Sequence, residues 1–446
     1  MKRLTQVLGA SILAIAATGA SQAQQATDWS TKLAKHDGVA LRMSTITDPF
    51  IDAIKATKDG FTTLTGATVQ VDGFGYDALH DQQLLGCTQK DSSTDILVID
   101  GIWLGEFVEA GCLAPVEDKL ATDPELIAWD DYTPSGQRQA SWEGKRYCLP
   151  VGIYYGLLFY RTDLFEKAGK TPPKTFDELK ELAKFFTNNP DYPGVSGYAM
   201  NNQRGAAAGQ QYFEWIFNAG GKPWASNDVG AEDPYADLTP LLNSKESVEL
   251  VQFFRDMVAF GPKGVESYAW DERASAFANG SLAMINDWSV RAQIVNDPKT
   301  SQIAGKFAST LMPSKVAGQE IPPVGGWIMC MNANGTQADA AWDFMKWFSS
   351  PEVHKAYSMV GGAPSRISSL NDPEVQAKYP WTASLAEAQG KSWAEGRPRH
   401  ASTFQEIDTV GIEVNKAIIG EQTPQAAMDE ANAKVTELLK RAGLLQ

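Results

Sequence analysis

The chain has 446 residues, with 39 Lys+Arg against 54 Asp+Glu, four His and four Cys, and 43% of it is hydrophobic. That length and composition fit two or three globular domains with large apolar cores. A net charge of −15 with no cluster of Lys/Arg excludes binders of nucleic acid or anionic lipid, and four scattered His exclude a multi-histidine metal centre.

Residues 1–23 read as a signal peptide. Lys2 and Arg3 precede the apolar run Leu8–Ala17, and Ser21-Gln22-Ala23 places small residues at the −3 and −1 positions of a cut before Gln24. No Cys stands at that cut, and no later run approaches the ~18 apolar residues that a membrane span needs. The expectation is an exported, unanchored chain in the periplasm. An oxidising compartment permits disulfides among Cys87, Cys112, Cys148 and Cys330. Four Cys allow three full pairings, and four buried free thiols are the alternative. The favoured bridge is Cys112–Cys148, because both residues adjoin short apolar segments.

Val39–Ser44 reads as a strand running into the polar loop Thr45–Pro49, and Phe50–Leu64 as a helix stopped by Gly66. Thr68–Val71 alternates as a strand, Ala78–Leu85 is helical, Asp95–Asp100 is a buried strand, and Trp103–Ala110 is a helix ended by Gly111. This β-α-β-α-β-α order predicts a mainly parallel sheet covered by helices. The apolar stretch Val151–Tyr160, with Gly152 and Gly156 inside it, reads as a strand passing from one domain to another. Helices follow at Thr162–Ala168 and, after the capping box Thr175-Phe-Asp-Glu178, through Phe186. Later helices are expected at 211–219, 247–260, 338–348, 403–419 and 424–442, with strands near 282–285 and 322–331.

Catalytic signatures are missing. The sequence has no GxSxG elbow, and Gly73-Phe-Gly75 lacks the third glycine of a dinucleotide fingerprint. The chain is therefore read as a non-enzyme without a cofactor or metal. Aromatics at strand ends are more informative: Trp103, Tyr154, Tyr155, Trp288 and Trp327 each sit near polar partners. Ligands of open α/β sheets bind beyond the carboxyl ends of strands. There, aromatic rings suit the C–H faces of sugars, and Asp, Asn and Arg suit their hydroxyls.

Several stretches then carry a resemblance. They are Asp95–Trp103 with Phe107–Gly111, Gly144–Pro150 through Leu158–Gly169, Pro172–Glu178, Phe277–Met284, Gly325–Trp327, Ala340–Phe348 and Gly362–Arg366. In order and spacing, from about residue 38 to 443, the chain resembles the periplasmic carbohydrate-binding proteins of ABC importers. The resemblance implies a type II-like two-lobe α/β fold, each lobe a mainly parallel sheet flanked by helices, joined by a multi-strand hinge. The lobes would be 24–152 plus 326–366, and 153–325 plus 367–446. It implies a ligand-binding cleft lined by Thr47, Asp48, Asp100, Trp103, Tyr154, Tyr155, Tyr212 and Trp288, with Asp287, Gly326, Trp327 and Arg366 of second rank. Arg366 serves equally well as a structural donor to the preceding loop. Tyr154 stands where maltose-binding protein has an acidic contact. The implied guest is a neutral sugar or polyol and the implied partner an ABC transporter permease, for a monomer with no direct membrane insertion. Two alternatives stay open: an anionic or phosphorylated solute held by Arg204, Arg291, Arg397 or Arg399, and a carbohydrate-active hydrolase using two cleft carboxylates.

Overall fold

The computed structural model describes residues 27–446 apart from Pro380, so the expected signal peptide lies outside the described residues. The first half of the sheet follows the alternation read from the sequence. β1 (Ala40–Ile46) lies between β2 (Thr68–Phe74) and β3 (Ile96–Asp100), and both pairings are parallel. Helices Tyr76–Thr88 and Leu104–Glu109 follow β2 and β3. The expected helix 50–64 is broken at Lys58 into Pro49–Thr57 and Asp59–Thr65. The Thr57 hydroxyl bonds back to the Ala53 carbonyl at 2.8 Å, a bond that bends helices. Beyond the break, Phe61 packs edge-on against Phe344. Gly66, at φ 82°, ends the segment in the left-handed conformation expected of a stop residue.

The sheet as a whole is mixed, which corrects the expectation of mainly parallel sheets. After the short strands β4 (Leu113–Ala114), β5 (Ser141–Trp142) and β6 (Lys145–Arg146) comes the fourteen-residue β7 (Cys148–Arg161). Further on are β8 (Ser196–Ala199), β9 (Leu282–Trp288), β10 (Phe307–Leu311) and β11 (Val324–Asn332). The main order is β2-β1-β3-β11-β7-β9-β8. β11 returns from the later part of the chain and inserts antiparallel between β3 and β7, and β7 is antiparallel to β9 and β10. Only β8–β9 is parallel in the second half. β7 is nearly all buried and links the halves: residues up to Tyr155 pair with β11, and residues from Gly156 pair with β9. The long apolar stretch read from the sequence is thus one strand that runs through both halves of the sheet.

The capping box forms as expected. The Thr175 hydroxyl accepts from the Glu178 N–H, and the Glu178 carboxylate accepts from the Thr175 N–H, both at 3.2 Å. The helix expected at 211–219 instead spans Ala206–Trp215. It packs backbone to backbone against helix Thr403–Ile418, because a Cβ on Gly209 would stand 1.9 Å from the Ile407 carbonyl oxygen. That close approach, open only to glycine, sets where Gln210 points.

The expected Cys112–Cys148 bridge is not formed. The disulfides are Cys87–Cys112 and Cys148–Cys330. The segments after Cys112 and around Cys148 both pair with β11, and they meet each other at the Val116 N–H and the Arg146 carbonyl (3.0 Å), four residues past Cys112. Cys148 and Cys330 are register partners on β7 and β11, with Cα atoms 4.4 Å apart, whereas Cys112 meets the end of the helix that carries Cys87. Among the described residues no helix is long and apolar enough to cross a membrane, and no cluster of His, Cys, Asp and Glu is arranged to hold a metal.

Candidate functional site

A cavity of about 240 Å³ opens where the carboxyl ends of β1, β2, β3 and β9 meet the crossing strands β7 and β11. The position is the one expected for a ligand in an open α/β sheet. Of the twelve residues expected at a site, seven line this cavity: Thr47, Asp48, Asp100, Tyr154, Trp288, Gly326 and Trp327. Gly325 beside them allows a close approach, since a Cβ there would come within 3.2 Å of the Trp288 ring.

The other five lie elsewhere, each for a geometric reason. Tyr155 follows Tyr154 on a strand and so faces the opposite side. Its backbone N–H bonds the Ser289 hydroxyl, and burial pushes its phenol upward. Asp287 alternates with Trp288 in the same way and is sealed against Arg273 at 2.7 Å. Tyr212 is two helical positions from Gln210, about 200° around the axis, and bonds Ser247 at 2.7 Å on the far face. Trp103 is fully buried beneath the cavity, 4.9 Å from Tyr76 and 5.6 Å from Trp327. At ~25 cal/mol per Å² over roughly 200 Å², its burial contributes about 5 kcal/mol to the core. Arg366 is a structural donor: its guanidinium bonds the carbonyls of Ile127 (2.6 Å), Ala128 (3.1 Å) and Ser349, and stacks 3.9 Å from Tyr132.

Two arginines face the cavity, and carboxylates occupy both. Arg291, in the turn after β9, bonds Asp48 at 3.1 Å and Asp271 more closely, with Asp287 at 3.7 Å. Asp48 precedes helix Pro49–Thr57 but makes no cap bond; its side chain reaches Arg291 instead. Burial pushes the Asp48 carboxyl up to about 6, with Arg291 opposing. Arg397 donates to both oxygens of Asp100 (3.2 and 3.3 Å) and to the Gln210 side-chain carbonyl (3.1 Å), and lies over the Trp288 ring at 5.6 Å. Tyr76 completes the ring of bonds, donating to Asp100 at 3.0 Å and accepting from Gln210 at 2.9 Å. Burial, reinforced by Asp100 and Asp48 respectively, raises the phenols of Tyr76 and Tyr154 and keeps them protonated donors. The buried Tyr154 hydroxyl has no hydrogen-bond partner among the described residues and lines the cavity. The site therefore offers aromatic faces, hydroxyl and carboxylate groups, and no cation left over for an anionic guest. Arg204 and Arg399 lie outside the lining; Arg399 donates to the carbonyls of Gln139 and Ser141.

Tyr76, Gln210, Trp270, Asp271 and Glu272 also line the cavity and were not singled out from the sequence. Tyr76 was within reach of the strand-end rule, since it directly follows Gly75 at the end of β2. Gln210 and Trp270 depend on how distant helices pack.

Glu214, on the Gln210 helix, is buried with one oxygen unpartnered, and burial pushes its carboxyl up to about 7, with Arg273 and Arg397 opposing. A folded-state value above the unfolded one gives stability that is lost as pH rises through about 7. Glu214→Gln is therefore expected to raise the melting temperature at pH 8 by roughly 2–4 °C, the order of a 1 kcal/mol change, and to leave it unchanged at pH 4. Thermal scans across pH check this, and a constant offset at every pH would contradict it.

The family model of bacterial extracellular solute-binding proteins matches residues 43–355. A probable amino-acid ABC transporter periplasmic-binding protein of Sinorhizobium fredii is 28% identical over the full length of both chains. The mannitol-binding protein of Pseudomonas aeruginosa is 24% identical over 72% of this chain and 75% of its own. Among solved structures, an ABC transporter solute-binding protein of Agrobacterium radiobacter in complex with ribitol is 30% identical. It superposes with a TM-score of 0.84 over 91% of this chain and all of that one. A D-mannitol-bound counterpart from Agrobacterium vitis shares the fold at 21% identity and a TM-score of 0.78, over 91% of this chain and 99% of its own.

Proposed function

The chain belongs to the bacterial extracellular solute-binding proteins, non-catalytic components of transport, and we propose that it captures a neutral polyol or small sugar for an ABC importer. The observation that carries this is the pairing at the cavity. Trp288, Trp327 and Tyr154 present ring surface, while Arg291 and Arg397 are already neutralised by Asp48, Asp271 and Asp100. A neutral, hydroxyl-rich guest stacks on the rings and exchanges hydrogen bonds with the carboxylates and the free Tyr154 hydroxyl. An anionic guest would displace an existing ion pair. The ribitol-bound and mannitol-binding relatives agree with this reading.

Two lobes, 24–152 plus 326–366 and 153–325 plus 367–446, would be hinged on β7 and β11. Thr47, Asp48 and Asp100 belong to the first and Trp288, Arg291 and Arg397 to the second. A guest touching both binds the closed form better and shifts the hinge equilibrium toward it. The closed monomer, in the periplasm, then delivers its cargo intact to a membrane permease.

Calorimetric titration of residues 24–446 with ribitol, mannitol, glucose, maltose, a neutral amino acid and a polyol phosphate tests this. The expected result is saturable binding of a neutral polyol or sugar that is recovered unchanged. Binding of the phosphate ester or the amino acid alone, or consumption of the ligand, would overturn it.

A further inference from the structure

Resting on the polyol or sugar reading of the same cavity, we propose that Tyr76 and Trp270 are its size-limiting pair, confining the guest to one short polyol chain or one sugar ring. Their rings stand 5.4 Å apart and close the cavity from opposite sides. Tyr76 opens the helix after β2, and Trp270 opens helix Trp270–Ala278. Both are half-buried, so each covers the cavity with part of its ring while the rest meets solvent. At about 240 Å³ the cavity lies below the ~300–1,000 Å³ of sites for drug-sized ligands. That suits a five- or six-carbon chain better than two linked rings.

Neither ring can swing aside cheaply. Tyr76 is fixed through its hydroxyl to Asp100 and Gln210 and packs 6.1 Å edge-on to Trp327. The helix of Trp270 is capped at its start and tied to the cavity wall at two residues. Asp271 bonds Arg291, Glu272 accepts from the Ala269 N–H at 3.2 Å, and the fully buried Arg273 bonds Asp287 at 2.7 Å. That last bond also orients the opposite wall, because the same Asp287 oxygen accepts from the Trp288 N–H at 2.8 Å. The size limit is therefore a rigid feature of the closed cavity. Gly73, three residues before Tyr76, fits this role: a Cβ there would meet Ile51 and Thr47 at 2.7 Å, so the strand end sits tight against the wall that Thr47 provides.

The test is calorimetry of ribitol, mannitol, maltose and maltotriose against the parent chain, Trp270→Ala and Tyr76→Ala, each variant first shown to melt cooperatively. The parent is expected to bind a polyol or monosaccharide at least 100-fold more tightly than maltose. Either variant is expected to narrow that ratio at least tenfold, by gaining maltose as well as losing polyol. Two results would overturn the size limit while leaving the sugar-binding reading intact: a parent that binds maltose or maltotriose as tightly as the polyols, or a folded variant with an unchanged ratio. A parent that binds none of the four overturns the polyol reading itself, and the size limit with it. Using two variants on different elements keeps the test decisive should one fail to fold.

Discussion

Arg397→Ala is expected to weaken polyol binding by roughly 100-fold or more, in keeping with the 2–5 kcal/mol that truncating one partner of a buried charge pair costs at an interface. Arg397 is the hub where the two parts of the cavity meet. It holds both oxygens of Asp100, engages Gln210 and lies over Trp288. Without it, Asp100 keeps only the Tyr76 hydroxyl and the Ile102 N–H as partners, in a site where its side chain is nearly sealed from water. The uncompensated charge then favours opening the cavity to solvent, which is the reverse of what a guest needs. Arg397→Lys keeps the charge but loses the planar fork, and a loss near tenfold is expected. Calorimetry with the tightest-binding polyol checks both. Wild-type affinity in Arg397→Ala would show that the cavity is not where the guest binds.

Replacing Cys148 and Cys330 together with Ser is expected to lower the unfolding free energy by about 5 kcal/mol in the chain-entropy description, because that bridge closes a loop of 182 residues. Its position multiplies the effect. Cys148 starts β7 and Cys330 lies near the end of β11, so the bond fixes the mutual register of the two strands that link the halves of the sheet. The shift in register between Trp327 and Ile328 stands between the disulfide and Gly325–Gly326. Bending at the glycines is thereby isolated from the anchored ends. Denaturant unfolding of the double variant against the parent, with disulfides mapped by peptide mass analysis, checks this. Equal midpoints, or a Cys112–Cys148 peptide in the parent, would contradict it.

The first half of the sheet was legible because its signals are local. Alternation along residues 68–71, the buried run 95–100 and the capping box at Thr175 each act within a few residues. Asp48 and Asp100 came from the family resemblance, carried over by position, and both stand just where a strand ends. The cysteine pairing was not legible, since it depends on β11 returning beside β7 after some 180 residues. The arginines show the same limit from the other side. Arg291 and Arg397 stood out as cations and kept an anionic guest open as an alternative. Their partners, Asp48 and Asp100, lie 243 and 297 residues away and weigh against it. Tyr155, Tyr212 and Asp287 were chosen for the right segments and the wrong faces, because a shift of one residue in a strand, or two in a helix, turns a side chain from cavity to core.

A crystal structure of the mature protein with its tightest-binding polyol tests the central claim most directly. The carbon chain is expected against Trp288 and Trp327, with hydroxyls within hydrogen-bond distance of Asp48, Asp100 and the Tyr154 hydroxyl, every bond of the guest intact and both arginine–carboxylate pairs preserved. A guest bound outside this cavity, or one seated in it by an anionic group that has taken Arg291 or Arg397 from its carboxylate, would contradict it.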